Sequence, residues 1–257
     1  MLKTTNHHPD CIDRIVSTAL NSIAVNHQYL DDLQSGELPN MQLALQDLAF
    51  QYSFYSSEFT RYVTAVIKNT RTEKHKNILM KNLAEESGDT HNLDLPNKVL
   101  ASIDGVPHSE LYDRFQRSLG IDDEYRNTFP PTETVLLWRR HFLQICQLNL
   151  CVGIGAIGID TELLVPIIYT KFLEAIKSHT DLSPDQYVFF DLHSECDKEH
   201  ADQILLIAKD LAVNPEACEQ IEYGAKMATQ MRSIFWDKMH ERAFLFSDEK
   251  KYQMKIS

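Results

Sequence analysis

The stretch from about Leu143 to Ile168 is the most apolar part of the chain. A helix that is apolar on nearly every side must be covered on every side, so this segment belongs at the centre of other elements. It also carries Gln144, Gln147, Asn149, Asp160 and Glu162, a set that a bilayer span would not readily tolerate. The expectation is a buried core helix and no membrane span. Its GIGAIG run, Gly153 to Gly158, predicts a tight crossing or a local break.

The segments around it have helical periodicity. Apolar positions recur at helical spacing over Ile12 to Leu33, Met41 to Lys68, Thr72 to Glu86, His108 to Leu119 and Thr132 to Val152. Pro130 and Pro131 stand where a helix can begin, and helix resumes from Asp160 to about His179. Ser183 followed by Pro184 marks another start, for a helix reaching about Leu211, and Pro215 opens a last long helix ending near Phe244. Strand signals are nearly absent, and residues 92–107 show little periodicity. With 257 residues, 43% of them hydrophobic, and no linker-like stretch in the middle, the reading is one all-α bundle domain over residues 1–246. A polar, frayed tail follows over 247–257.

The 37 acidic and 25 basic residues leave a formal charge of -12. Such a surface repels nucleic acid and anionic membranes. The five cysteines, at 11, 146, 151, 196 and 218, are scattered without CxxC spacing. That argues against a disulfide framework and a thiolate zinc site, and it fits a reducing cytoplasm. The N-terminal MLKTTNHHPDC has no apolar run like that of a signal peptide.

The chemistry concentrates on one helix. His193, Asp197 and His200 are spaced i, i+4 and i+7, which at about 100° per residue puts them on one stripe. Two imidazoles and a carboxylate form a ligand set for iron, manganese or zinc, whereas a plain polar face would need no such stripe. A bundle site needs further ligands from facing helices. Glu162, inside the apolar stretch, is the best candidate; otherwise it is a first-turn residue near a positive helix end. Glu85 and Glu86 precede His91 by six and five residues, so neither shares a regular helical face with it. Gly88 would have to permit an unwound or π-like turn, or else the pair is simply a charged helix end. Arg139, Arg140 and His141 either line an entrance or form a solvated basic patch.

At these residues the chain resembles the heme-oxygenase-like diiron oxidases, in the CADD-like branch, and more distantly the PqqC and TenA families. The resemblance runs from about residue 22 to 240. It is carried by Asn26-His27-Gln28-Tyr29, Phe59-Thr60-Arg61-Tyr62, Asn82-Leu83-Ala84-Glu85-Glu86-Ser87-Gly88, His193-x3-Asp197-x2-His200 and Phe235-Trp236-Asp237. It implies a bundle of seven to eight helices holding two iron ions, or one iron and one manganese, with dioxygen as co-substrate. The ligands it implies are Glu85 or Glu86, His91, Glu162, His193, Asp197 and His200. In that branch a glutamate lies seven residues before a histidine; here that position is Asn92, and His91 comes one residue early. The TenA cysteine motif is not evident, with Cys218 the only candidate in its region.

The resemblance also places Tyr29, Tyr52 and Tyr55 near the cavity, where an oxidisable side chain would matter. The function implied is a dioxygen-activating oxidase acting on a small organic or fatty substrate or on its own tyrosine, in a protein expected to form a homodimer. Two alternatives compete with it: a metal-free TenA/PqqC-like enzyme on a small heterocyclic substrate, and a non-enzymatic helical interaction protein.

Overall fold

The computed structural model describes residues 9–89 and 102–245, with the side chains of 9, 10 and 194–198 outside the description. Every regular element among the described residues is helical. In chain order these are α1 (Pro9–Leu20), α2 (Gln28–Ser35), α3 (Met41–Ser56), α4 (Phe59–Asn69), α5 (Glu73–Glu86), α6 (His108–Ser118), α7 (Asp123–Thr128) and α8 (Glu133–Leu148). There follow α9 (Leu150–Ile154), a π-helical segment (Gly155–Leu163), α10 (Val165–His179), α11 (Pro184–Leu211) and α12 (Pro215–Leu245).

Local polar chemistry sets most boundaries. Three of the long segments expected as single helices are interrupted. The first, Ile12 to Leu33, divides because the Asn21 and Asn26 amides donate to the last carbonyls of α1, Ser17 O at 2.7 Å and Leu20 O at 3.1 Å, while His27 caps α2. Met41 to Lys68 divides at Ser57–Glu58, where the hydroxyls of Ser53 and Ser57 bond Phe50 O and Ser53 O at 2.7 and 2.6 Å and compete with the helical ladder. Thr132 to Val152 divides at Asn149, whose backbone is extended and whose side chain accepts from Val152 N at 3.0 Å. Ser183 begins α11 as expected, with Gln186 completing a reciprocal cap.

The apolar stretch is the central helix. Leu150–His179 is long and apolar enough to cross a membrane by length and composition, but 78% of its most apolar window is buried inside the protein. Gly155 lets it cross α12 in backbone contact: a Cβ there would lie 2.1 Å from Ile221 O, and one on Gly224 would lie 2.0 Å from Val152 O. The GIGAIG run is thus a tight crossing, and the chain passes through it as a wide π turn instead of breaking. Asp160, Thr161 and Glu162 follow on that turn, all buried.

The cysteines correct an expectation. Cys11 of α1 and Cys218 of α12 form a disulfide across 207 residues of sequence. The sequence spacing gave no sign of it because the two helices meet only through the fold. Cys146 is buried and Cys151 half-buried, both free. The tail at 247–257 lies outside the described residues.

Candidate metal centre

Four segments bring acids and imidazoles together. Helix α5 contributes Glu85 and Glu86 from its last turn, α6 contributes His108 from its first, the π segment contributes Glu162, and α11 contributes His193 and His200. All six are buried to 7% exposure or less. Gly88 makes the approach of α5 and α6 possible. Its φ is 102°, its carbonyl accepts from Gly105 N at 3.0 Å, and a Cβ would meet the Gly105–Val106 backbone at 2.9 Å.

Glu86, His108 and His193 each offer a ligand atom within 4.8 Å of the others. His193 Nδ1 lies 2.6 Å from Phe189 O. A carbonyl only accepts, so that nitrogen carries the proton and Nε2 keeps its lone pair. Nε2 faces Glu86 Oε1 at 3.8 Å, an acceptor opposite an acceptor. Burial, with the charge of His108 adding to it, pushes His193 down to about 4, so the ring is neutral at pH 7. Burial would raise Glu86, but His108 beside it, then His193 and His200, outweigh that and hold it at about 2. His108 Nδ1 stands 3.1 Å from Glu86 Oε2 without hydrogen-bond geometry. A carboxylate and a neutral imidazole lone pair aimed into one small space fit a cation between them.

The second group lies beside the first. His200 contacts Glu85 through Nε2 in a short hydrogen bond and approaches Glu162 Oε2 at 3.6 Å through Nδ1. Glu162 also accepts from Asn82 Nδ2 at 2.8 Å. Lys81 sits 3.6 Å from Glu85 and 2.6 Å from the exposed Glu199. Glu85 and Glu86 thus face different histidines, which a glutamate pair does when its members follow one another in a helix. Glu162 is a buried member of the cluster, not a first-turn residue near a helix start. His91 and the Asp197 side chain lie outside the described residues. His108 stands beside Glu86 as a candidate that sequence reasoning did not name; its one sequence mark is its position after Pro107 at a helix start.

A cavity of about 40 Å³ opens onto Glu86, His108, Glu162 and His193. Tyr52, Tyr55, Tyr112 and Tyr169 are among its walls. Tyr29 is not: it is buried against Trp236, ring centres 6.0 Å apart. Arg139, Arg140 and His141 do not line this cavity either. The charged residue that sequence reasoning missed is Arg232 of α12, fully buried. It donates to Asp160 from Nε at 3.1 Å and from Nη2 at 2.8 Å, and to the hydroxyls of Tyr52 and Tyr55 at 3.2 Å each. Tyr55 also shares a 2.9 Å hydrogen bond with Thr161 and stacks on Trp138 at 3.9 Å. Asp160 is the other half of this buried ion pair.

Fold and site together define an all-helical bundle with a carboxylate–histidine interior. The chain belongs to the family of iron-containing redox enzymes, whose model matches residues 46–233. It is 23% identical over 192 residues, 74% of either chain, to a 4-aminobenzoate synthase of Chlamydia muridarum. In structure it is similar to a CADD-like protein of unknown function from Nostoc punctiforme (TM-score 0.73, 16% identity, covering 92% of this chain and 98% of that one). It is also similar to a domain of unknown function with a heme oxygenase-like fold from Shewanella denitrificans (TM-score 0.71, 17% identity, covering 92% and 93%). The heme-oxygenase-like fold expected from the sequence is the fold of this chain.

Proposed function

We propose that the protein is a dioxygen-activating non-heme oxidase holding two metal ions, either two iron or one iron and one manganese. Glu86, His108 and His193 would hold one ion, and Glu85, Glu162 and His200, with Asp197, the other. The observation that carries the reading is the pair of facing acceptors, Glu86 Oε1 and His193 Nε2, 3.8 Å apart with the His193 proton committed to Phe189 O. Iron held there would supply the electrons that reduce dioxygen, and oxygen and nitrogen donors suit it. The chain's own residues orient and shield. Phe189 O fixes the ring of His193, and Asn82 fixes the carboxylate of Glu162. The tyrosine walls keep bulk water from the pocket.

Metal analysis of purified protein loaded anaerobically with iron tests this. About two ions per chain are expected, with loss of at least one when His108 or His193 is replaced by alanine and the helical signal is retained. Full metal content in the His108→Ala/His193→Ala double variant would sink the assignment.

The cavity favours a second, finer reading of the substrate. At about 40 Å³ it holds molecules of water size, so an organic substrate requires it to widen. The oxidisable groups already in place are the wall tyrosines, which supports oxidation of the protein's own Tyr52 or Tyr55. Intact mass and peptide mapping after aerobic iron loading read this directly; an unchanged tyrosine inventory after turnover points to an external substrate.

A further inference from the structure

Glu85 enters the second group of the metal centre with both of its oxygens engaged. Oε2 takes the short hydrogen bond from His200 Nε2, and Oε1 faces the Lys81 ammonium at 3.6 Å. Lys81 lies four residues before Glu85 on α5, so the two share one helix face. Its side chain is 32% exposed, against 6% for that of Glu85. The ammonium therefore stands at the rim of the buried cluster with room to move. Its closer contact is outward, to Glu199 at 2.6 Å. Glu199 immediately precedes His200 on α11, is 60% exposed, and is steadied by Gln203 Nε2 at 2.7 Å. Among the described residues no other lysine or arginine forms an ion pair with Glu85, Glu86 or Glu162. The two groups thus differ: the one around Glu85 carries a fixed positive charge of the chain's own, and the one around Glu86 relies on histidines.

We infer that Lys81 is a built-in counter-ion for the second metal position. It balances Glu85 while that position is empty and withdraws onto Glu199 when an ion binds. The inference rests on the two-ion reading of the site. Charge gives Lys81 two opposite effects. In the metal-free chain a buried carboxylate without a nearby cation is costly, and the ammonium offsets part of that cost. Once a divalent ion sits on Glu85, the same ammonium is a like charge a few ångströms away. At that range, in partly buried surroundings, salt does not screen the repulsion out. A group that helps the empty state and opposes the filled one sets the metal concentration at which the position fills. Glu199 limits the opposition by drawing the ammonium outward. A residue that only packed the two helices together would lack this signature, because its loss would lower stability and metal binding alike.

Anaerobic calorimetric titration of the full chain with iron(II), paired with urea unfolding of the metal-free protein, tests the inference. Lys81→Met keeps the apolar stem and removes the charge. It is expected to bind the second ion ~10-fold tighter, leave the first ion's affinity unchanged, and lower the metal-free urea midpoint. Lys81→Arg retains the charge and should return both quantities to the wild-type values. Glu199→Gln leaves the ammonium to Glu85 alone and should weaken the second ion. A second ion that binds Lys81→Met no more tightly than wild type overturns the inference, and so does an unchanged metal-free midpoint in that variant. In either case a wild type that takes up two ions leaves the two-ion reading standing. A wild type that takes up fewer than two overturns that reading and the role of Lys81 with it.

Discussion

Two buried polar clusters lie on either side of the π segment, and they are built on opposite principles. In the Arg232–Asp160 cluster donors meet acceptors: the guanidinium reaches both carboxylate oxygens and two tyrosine hydroxyls. Its chemistry is closed. In the Glu86–His108–His193 cluster acceptors face acceptors, and the proton that could have joined His193 to Glu86 points to a backbone carbonyl. Its chemistry is open and asks for a cation. Both clusters are buried, so burial alone does not separate a structural ion pair from a ligand site; the match of donors to acceptors does.

The largest effect is expected at Arg232. Replacing it with methionine leaves Asp160 buried and uncompensated, which should cost about 3–5 kcal/mol of folding stability. Urea unfolding measures the loss, while metal content per folded chain stays at the wild-type level. If iron is lost along with stability, the two clusters are one unit and the distinction fails.

Next in size is the response to acid of the metal-free protein. His193 is held at about 4 in the folded state, below its ordinary 6.5, so the unfolded chain takes up the proton first. Stability is fully present above pH 6.5 and falls as pH drops from there toward 4, by on the order of 3 kcal/mol. Glu86, held at about 2 instead of 4.5, adds a further fall below pH 4.5. A flat urea midpoint between pH 7 and 5 would show that His193 is not held neutral by its surroundings. His193→Ala should remove the first decline and leave the second.

Metal should stabilise the open cluster and leave the closed one indifferent. Free iron(II) at a hundred times its dissociation constant adds about 2.7 kcal/mol to the wild type. His108→Ala and Glu86→Gln should lose most of that gain, read as the shift in melting temperature on anaerobic titration. The smallest effect is expected from Tyr55→Phe. It removes one hydroxyl that bonds Thr161 and accepts from Arg232, for about 1 kcal/mol, with metal binding unchanged. A larger loss of metal would place Tyr55 in the open cluster instead.

Much of the site is legible in the sequence. The His193/His200 stripe is a consequence of helical spacing alone, and Glu162 stood out as a carboxylate where no carboxylate is affordable. Both lie in the cluster. What spacing could not deliver was any contact between segments far apart in sequence. His108 meets Glu86 because Gly88 turns the chain under Val106, and nothing in a short window around His108 encodes that. Arg232 sits in a helix whose local pattern is that of a half-exposed surface helix; its burial depends on Asp160 arriving from the π segment. Tyr29 failed as a cavity residue for the same reason, because its neighbour in space is Trp236.

Helix against strand, the buried central segment and the helix starts at Ser183 and Thr72 follow from the sequence by itself. Periodicity and capping act within a few residues, and so they are written locally. The three breaks, at 21–27, 57–58 and 149, are local too, but they arise from asparagine and serine side chains competing for backbone partners, a balance that apolar periodicity does not register. The tertiary structure alone decided the Cys11–Cys218 disulfide, the partner of Arg232 and the place of His108 in the metal pocket. Each requires two chain segments to be brought within a few ångströms, and that distance is set by how the whole bundle packs.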